Sequence, residues 1–146
     1  MLVGELRTDM ADTIELELVS PEQLLLSEQV EMVVVPGEEG DFGVLPGHSP
    51  VISNIRPGVL SVFKNGAVSQ RIFVASGFAE VTAERCTILA EGAEPVEDLD
   101  QAVVEEQIQT LREDVANADG DINRARADEA LDIAEAKRTA ITAPTY

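Results

Sequence analysis

The residue types that could carry chemistry in this chain are few, and the histidine lies in a turn-rich stretch. The single histidine, His48, is followed directly by Ser49, and acidic side chains are abundant. A Ser-His-Asp site needs the serine and the histidine to point at each other. Adjacent positions seldom do so, and no serine stands in a G-x-S-x-G elbow. We therefore interpret His48 as a loop residue with a structural or protein-contact role.

The glycine-rich segment Pro36–Gly43 is a second candidate site, for phosphate. It lacks the Gly-Lys-Ser/Thr ending of a P-loop, and Glu38, Glu39 and Asp41 would repel phosphate oxygens. Glu38 and Glu39 are sequence neighbours, which is not the spacing of an acid/base pair. We predict turns between strands here, in a place where a partner protein could also bind.

The single cysteine, Cys86, opens an apolar run, which favours a buried and unreactive thiol over a nucleophile. One cysteine also rules out an internal disulfide and indicates a reducing compartment. No convergent set of catalytic groups is found. The sequence therefore predicts a non-catalytic protein without a cofactor or a metal.

Acidic residues dominate both halves of the chain and give a net charge of −18. Such a field repels nucleic-acid phosphates and anionic lipids, because binding them normally uses a basic patch. No segment approaches the roughly 18 apolar residues that cross a bilayer. We expect neither a nucleic-acid partner nor direct insertion into a bilayer.

The elements that must position these residues fall into two halves with different periods. From Thr13, apolar and acidic residues alternate as in a half-buried strand, and short apolar runs separated by turn residues continue to Glu94. Asn65-Gly66 predicts a type I′ hairpin turn. The strand candidates are 13–18, 24–26, 30–35, 50–55, 59–64, 68–75, 79–82 and 86–90.

After Pro95 the pattern becomes helical. A stripe of apolar residues at spacings near three and four predicts one helix. A turn at 117–121 follows, with Gly120 ending the first helix and Asp121 capping a second. Ala130 and Ala134 would allow close helix approach. The stripe consists of Leu99, Val103, Ile108, Leu111 and Val115.

The predicted fold class is α+β, an N-terminal antiparallel β-sandwich followed by a C-terminal antiparallel two-helix hairpin. The predicted units are a disordered extension (1–12), the sandwich (13–95), the hairpin (96–141) and a tail (142–146). The hairpin has a thin apolar stripe, and so buries too little area to be stable alone. We expect it to rest on the sandwich or on a partner, and to be able to detach.

One long motif is specific. The segment 33–50, VVVPGEEGDFGVLPGHSP, resembles the signature loop of the epsilon subunit of bacterial F-type ATP synthases. Similarity continues in the segments 55–60, 75–81 and 87–91. The resemblance covers nearly the whole chain from Thr13 to Ile141, with the hairpin matched more by pattern than by identity.

The resemblance implies a rotor subunit at the foot of the central stalk, against the gamma subunit and the polar loops of the c-ring, on the cytoplasmic face of the bacterial inner membrane. It also implies that the hairpin can extend toward the alpha and beta catalytic subunits and regulate ATP hydrolysis. Residues implied to lie on c-ring-facing loops are Glu38, Glu39, Asp41, Phe42 and His48.

Some members of that family hold ATP on the hairpin through a motif of Ile or Leu, Asp, two variable residues, Arg and Ala. Here Leu99 and Asp100 begin the motif, but two valines, at 103 and 104, replace Arg and Ala. On the second helix Arg126 remains, whereas Ile133 and Lys137 occupy other arginine positions. Lost guanidiniums remove charge-assisted bonds to phosphate, so we expect weak or absent ATP binding.

The charge of the hairpin bears on inhibition. From Glu97 to Asp114 the first helix carries many acids against Arg112 alone, which opposes its insertion among acidic catalytic segments. We expect mild inhibition of hydrolysis or none. Two other classes stay open at this point: a free-standing binding module, which would be stable and functional without gamma, and an enzyme, which would need a convergent catalytic site.

Overall fold

The computed structural model describes residues 12–144. The predicted disordered extension, apart from Asp12, lies outside the described residues, as do the last two residues of the predicted tail. Within these residues, a short 3₁₀ helix, Val96–Asp98, joins ten strands to two α-helices, α1 (Gln101–Asn117) and α2 (Gly120–Thr142). The strands are β1 (Ile14–Val19), β2 (Leu24–Val30), β3 (Met32–Gly37), β4 (Gly40–Val44), β5 (Val51–Ile55), β6 (Gly58–Lys64), β7 (Ala67–Val74), β8 (Gly77–Val81), β9 (Arg85–Ala90) and β10 (Ala93–Pro95).

The strand-rich half folds as predicted, around one core. In β1 the alternation buries Ile14, Leu16 and Leu18, which are 0%, 0% and 3% exposed, while the glutamates between them stay partly exposed. Asn65 and Gly66 both have positive φ, 56° and 76°, as the type I′ turn requires. The α+β class and the β-then-α order are confirmed.

The strands form one sheet that folds over on itself, in the order β10-β7-β6-β3-β5-β8-β9-β1-β2, with β4 paired to β3. Among the described strands, all pairings are antiparallel except that of β1 with β9, where Leu16 lies beside Cys86. Inward side chains from β1 to β9 meet in a single cluster. The parallel pair was not foreseen, because pairing partners distant in sequence leave no local signal.

Strand boundaries around the glycine-rich segment differ from the prediction. The predicted turn region contains a strand, β4, which pairs residue by residue with β3 from Val33↔Val44 to Gly37↔Gly40. Only Glu38 and Glu39 form the turn. Residue propensities did not predict this strand, because Gly weakens strands in general. Gly also occurs in strands where two backbones approach closely, as they do here.

The hairpin forms, with three corrections. Val104 and Ile108, 3% and 1% exposed, contact Ala134 between the helices, whereas Val103 is 49% exposed, so its place in the predicted stripe was wrong. Gly120, at φ 82°, opens the second helix rather than ending the first. Asp119, not Asp121, stands at the cap of α2, and its side chain makes no capping hydrogen bond.

The hairpin lies against the sandwich, as expected from its thin apolar stripe. Phe73 and Ser61, each 1% exposed, and Val34, 6% exposed, lie outside the main core cluster. Val59 pairs with Phe73, and Val34 with Ser61, on the face of β3, β6 and β7 that points away from that cluster. Because α2 contacts β6, this helix covers the outer apolar face of the sandwich.

Candidate functional site

The predicted partner loop is an exposed acidic turn on a tight strand pair. Glu38 and Glu39 are exposed between β3 and β4. A side chain at Gly37 would come within 2.7 Å of the Gly40 carbonyl oxygen and 2.9 Å of the Phe42 ring, so position 37 is restricted to glycine. The turn thus projects two carboxylates from a backbone with little room to rearrange.

Neighbouring β5 anchors this turn. The Glu38 amide donates to the Asn54 carbonyl at 2.9 Å, and Asn54 Nδ2 donates to Glu38 Oε2 at 3.1 Å. Arg56 donates from Nη1 to the Gly37 carbonyl at 2.5 Å and from Nη2 to Asp41 Oδ1 at 2.6 Å. These bonds orient the carboxylates on one side of the sandwich. Sequence analysis missed Asn54 and Arg56 as positioning residues.

Of the other predicted loop residues, Phe42 lies beneath the acidic turn and His48 lies away from it. Phe42 is half-buried and packs against the core. His48 lies beyond the far end of β4, with Nδ1 2.6 Å from the Ser49 carbonyl oxygen, in a loop held by a 2.8 Å bond from the Gly47 amide to Ala83. The five residues of β4 span about 13 Å, so His48 and the acidic turn occupy opposite ends of that strand.

An exposed apolar face adjoins the acidic turn. Ile52 is 73% exposed and Phe78 is 42% exposed, on β5 and β8. Phe78 pairs with Asn54, which also holds Glu38, and its other neighbour is the half-buried Leu89 of β9. The sequence carried little signal for this face, because both sides of β5 contain apolar residues.

The hairpin separates the two predicted nucleotide-binding residues. Asp100 caps α1, accepting from the amides of Ala102 at 2.9 Å and Val103 at 3.2 Å. Arg126 is exposed near the turn between the helices. At 1.5 Å rise per residue, the two lie about 16 Å apart along the hairpin.

Three other positions at which the epsilon motif predicts arginine do come together. Val103, Ile133 and Lys137 line one open groove of about 590 Å³ between the helices. Lys137 is the only cation among the lining residues, and its Nζ lies 5.8 Å from the centre of the Phe73 ring. The groove is therefore mostly apolar where phosphate binding would need guanidinium groups.

Cys86 is buried, as predicted, and loss of solvation raises the pKa of its thiol to about 12. Within residues 12–144, no cluster of His, Cys, Asp or Glu has the arrangement of a metal site. Over the same residues, no helix is both long enough and apolar enough to pass through a bilayer.

The β-sandwich presents an acidic turn and an exposed apolar face, and the helical hairpin folds against it. This arrangement is that of a subunit that binds other proteins through its surface. Residues 13–96 match the β-sandwich domain of the ATP synthase delta/epsilon chain, and residues 100–146 match the C-terminal domain of the ATP synthase epsilon chain. The chain therefore belongs to the ATP synthase epsilon chain family.

Individual relatives support the same family assignment. The ATP synthase epsilon chain of Rhodospirillum rubrum is 51% identical over 127 residues, which cover 87% of this chain and 95% of the relative. That of Rhodospirillum centenum is 53% identical over 133 residues, covering 88% and 91%. Both similarities extend over nearly the full length of the relatives.

Solved structures show the same architecture. A chain of the Euglena gracilis mitochondrial ATP synthase, solved by cryo-EM as OSCP/F1/c-ring in rotational state 1, superposes with a TM-score of 0.79 at 26% identity, covering 89% of this chain and 82% of that one. A chain of the Tetrahymena thermophila mitochondrial enzyme shares the fold, with a TM-score of 0.64 at 16% identity, covering 88% and 96%. The chain is a non-catalytic rotor-stalk subunit of an F-type ATP synthase and associates with other subunits of that complex.

Proposed function

We propose that the acidic turn at Glu38, Glu39 and Asp41 docks on polar and basic loops of the c-ring. The observation that carries this proposal is the anchoring of an exposed acidic turn by Arg56 and Asn54. Charges held in a fixed arrangement give register as well as attraction, because a partner loop meets them in one geometry only. A rotor contact has to transmit torque, and a turn with few free backbone torsions suits that task.

His48 and Phe42 contribute differently to this docking. The ring of Phe42 lies against Gly37 under the turn and supports it from the core side. The loop that carries His48 is flanked by the exposed Leu45, 54% accessible. Since this loop lies at the far end of β4, it would contact a different loop of the ring from the one that binds the acidic turn.

The exposed apolar face at Ile52 and Phe78 is the proposed contact for the gamma subunit. Burying a large apolar side chain contributes roughly 1.5–3 kcal/mol, so two such residues can anchor an interface. The pairing of Phe78 with Asn54 makes this face continuous with the acidic turn. A partner on each surface would hold the sandwich from two sides, which suits a subunit that couples ring rotation to the stalk.

The hairpin is the proposed regulatory element, closed on the sandwich at rest, and it binds ATP weakly or not at all. The apolar groove at Val103 and Ile133 supports the second point. The exposed acids of α1, Glu106 and Glu113 among them, support mild inhibition of hydrolysis or none. With a c-ring docked at the acidic turn, the subunit would work at the cytoplasmic face of the bacterial inner membrane.

Site-directed crosslinking tests both contacts in the assembled synthase. The buried Cys86 leaves an introduced cysteine as the reactive thiol, so Glu39→Cys and Phe78→Cys can each carry a thiol-attached photocrosslinker. We expect Glu39→Cys to capture subunit c and Phe78→Cys to capture gamma. Ala67→Cys, at an exposed site at the start of β7, serves as the control. Capture of gamma at position 39, or of neither subunit at both positions, would refute the assignment.

A further inference from the structure

The C-terminal end of α2 meets arginines of the sandwich instead of carrying its own basic residue. The last turn of this helix, within the described residues, contains no basic side chain. Its residues Thr139, Ala140 and Ala143 line a cavity of about 250 Å³ together with Arg56 and Arg71. Because a helix C-terminus carries a partial negative charge, cations facing it stabilise the helix and its docking.

Arg56 also belongs to the acidic turn. Its Nη2 lies 2.6 Å from Asp41 Oδ1, its Nη1 donates to the Gly37 carbonyl, and its backbone amide donates to Pro36 at 3.0 Å. The adjoining Gly58 is so close to Pro36 that a side chain there would come within 2.9 Å of the proline Cβ. The backbone beside Arg56 is thus fixed, while its guanidinium, 42% exposed, lies next to Asp41 at the cavity under α2, which both side chains line.

We propose that Arg56 links docking of the acidic turn to closure of the hairpin, a role that rests on the proposed function of that turn. When a cationic partner binds Asp41, the guanidinium of Arg56 loses part of its attraction to that carboxylate and turns toward the last carbonyls of α2. This contact holds the hairpin closed. Linkage makes the effect reciprocal, so opening the hairpin weakens the hold of the acidic turn on a cationic partner.

Opposite effects of two substitutions distinguish this role from that of a structural ion pair. Arg56→Gln removes the cation that faces α2, whereas Asp41→Asn leaves the cation and removes its competitor. If the pair merely fastens β4 to β5, both substitutions loosen the same region. If Arg56 is shared, the first opens the hairpin and the second closes it more tightly.

Amide hydrogen exchange of the full chain, read by mass spectrometry over the last turns of α2, measures closure. A helix-terminus interaction of 0.3–1 kcal/mol corresponds to roughly two- to fivefold in exchange rate, faster for Arg56→Gln and slower for Asp41→Asn. Arg85→Gln is the matched control, since Arg85 forms ion pairs with Glu15 and Glu17 elsewhere on the sandwich. Faster exchange in both Arg56→Gln and Asp41→Asn, or no change in either, would overturn the proposal.

Exchange in β8 and β9 reports whether the sandwich itself stays folded. If Arg56→Gln loosens those strands, Arg56→Lys is used in its place. Because lysine keeps a cation at this position, the amides of α2 should then exchange near the wild-type rate. Faster exchange of α2 in Arg56→Lys would count against the link.

Tetralysine added to the wild-type chain serves as the cationic probe. It should slow exchange at the end of α2 and have no further effect on Asp41→Asn; equal slowing of both proteins would contradict the link. The two proposals can fail separately. Crosslinking of position 39 to subunit c without these exchange effects would leave the docking role standing and reject the link. The exchange effects without the crosslink would keep the link and reject the c-ring as the partner.

Discussion

The Nζ of Lys137, on α2, lies 5.8 Å from the centre of the Phe73 ring, on β7. Phe73 is only 1% exposed, although it lies outside the main core cluster of the sandwich. Its burial therefore depends on the hairpin. The pair ties the helical half of the molecule to the strand half by a cation placed over an aromatic ring.

Removing the hairpin should uncover this face without uncoupling the synthase. A chain that ends at Glu97 exposes Phe73, Val34 and Ser61, so we expect it to bind a fluorescent apolar dye that the full chain binds weakly. ATP hydrolysis by the reconstituted complex should change little, because the acidic α1 is repelled by acidic catalytic segments. A several-fold rise in hydrolysis on truncation would mean that the hairpin is a strong inhibitor.

Neutralising the acidic turn should weaken coupling. In Glu38→Gln/Glu39→Gln the turn keeps its shape, because the bonds from Arg56 remain, but loses attraction for basic loops. ATP-driven ion pumping in vesicles should fall relative to hydrolysis, and the defect should grow with salt, which screens the remaining attraction. The control Glu22→Gln/Glu84→Gln removes two exposed acids elsewhere. An equal loss in the control would point to net charge alone.

Polar substitutions on the exposed apolar face of β5 and β8 should reduce binding to gamma. In Ile52→Ser and Phe78→Ser we expect affinity to fall roughly tenfold each, given ~1.5 kcal/mol or more for each buried apolar side chain. Titration of the purified chain onto a gamma-containing subcomplex gives the constants. Ile122→Ser is the control, since Ile122 is 72% exposed on the hairpin. Unchanged affinity in both sandwich variants would move the gamma contact to another face.

Arginine placed in the hairpin groove should create ATP binding that we expect to be weak or absent in the natural chain. Val103 and Ile133 line the same groove as Lys137, so Val103→Arg/Ile133→Arg would gather three cations there. Charge-assisted hydrogen bonds contribute about 1.5–3 kcal/mol each, which corresponds to an affinity gain of roughly a hundredfold or more. Calorimetry of both proteins provides the comparison. Saturable binding of ATP to the natural chain at micromolar concentration would refute the prediction.

Alkaline pH should destabilise the fold through Cys86. Burial raises the pKa of this thiol from 9.0 to about 12, so between these values the unfolded chain ionises while the folded chain stays protonated. The folded state then binds more protons, and the free energy of unfolding falls as pH rises. Denaturant titrations across pH 8 to 11 should show a shallower decline in Cys86→Ala. The same slope in both proteins would argue against the shift.

Sequence reasoning succeeded where a local hydrophobic period was compatible with only one buried face. Ile14 and Leu16 alternate with glutamates, so only one face of β1 could be buried. It failed at Val103 and Val104, because adjacent helix positions differ by about 100° and either valine fitted a thin stripe. The packing of α1 against α2, where Val104 contacts Ala134, decided that Val104 faces inward.

By itself, then, the sequence determined the two halves, their order, the acidic turn and the family, because alternation, helical period and a long motif are written in neighbouring residues. Tertiary structure alone decided which side of β5 is exposed, that β1 runs parallel to β9, and that Arg56 holds Asp41. These relationships join residues distant along the chain. Their energies depend on distance and burial in space, which no local pattern encodes.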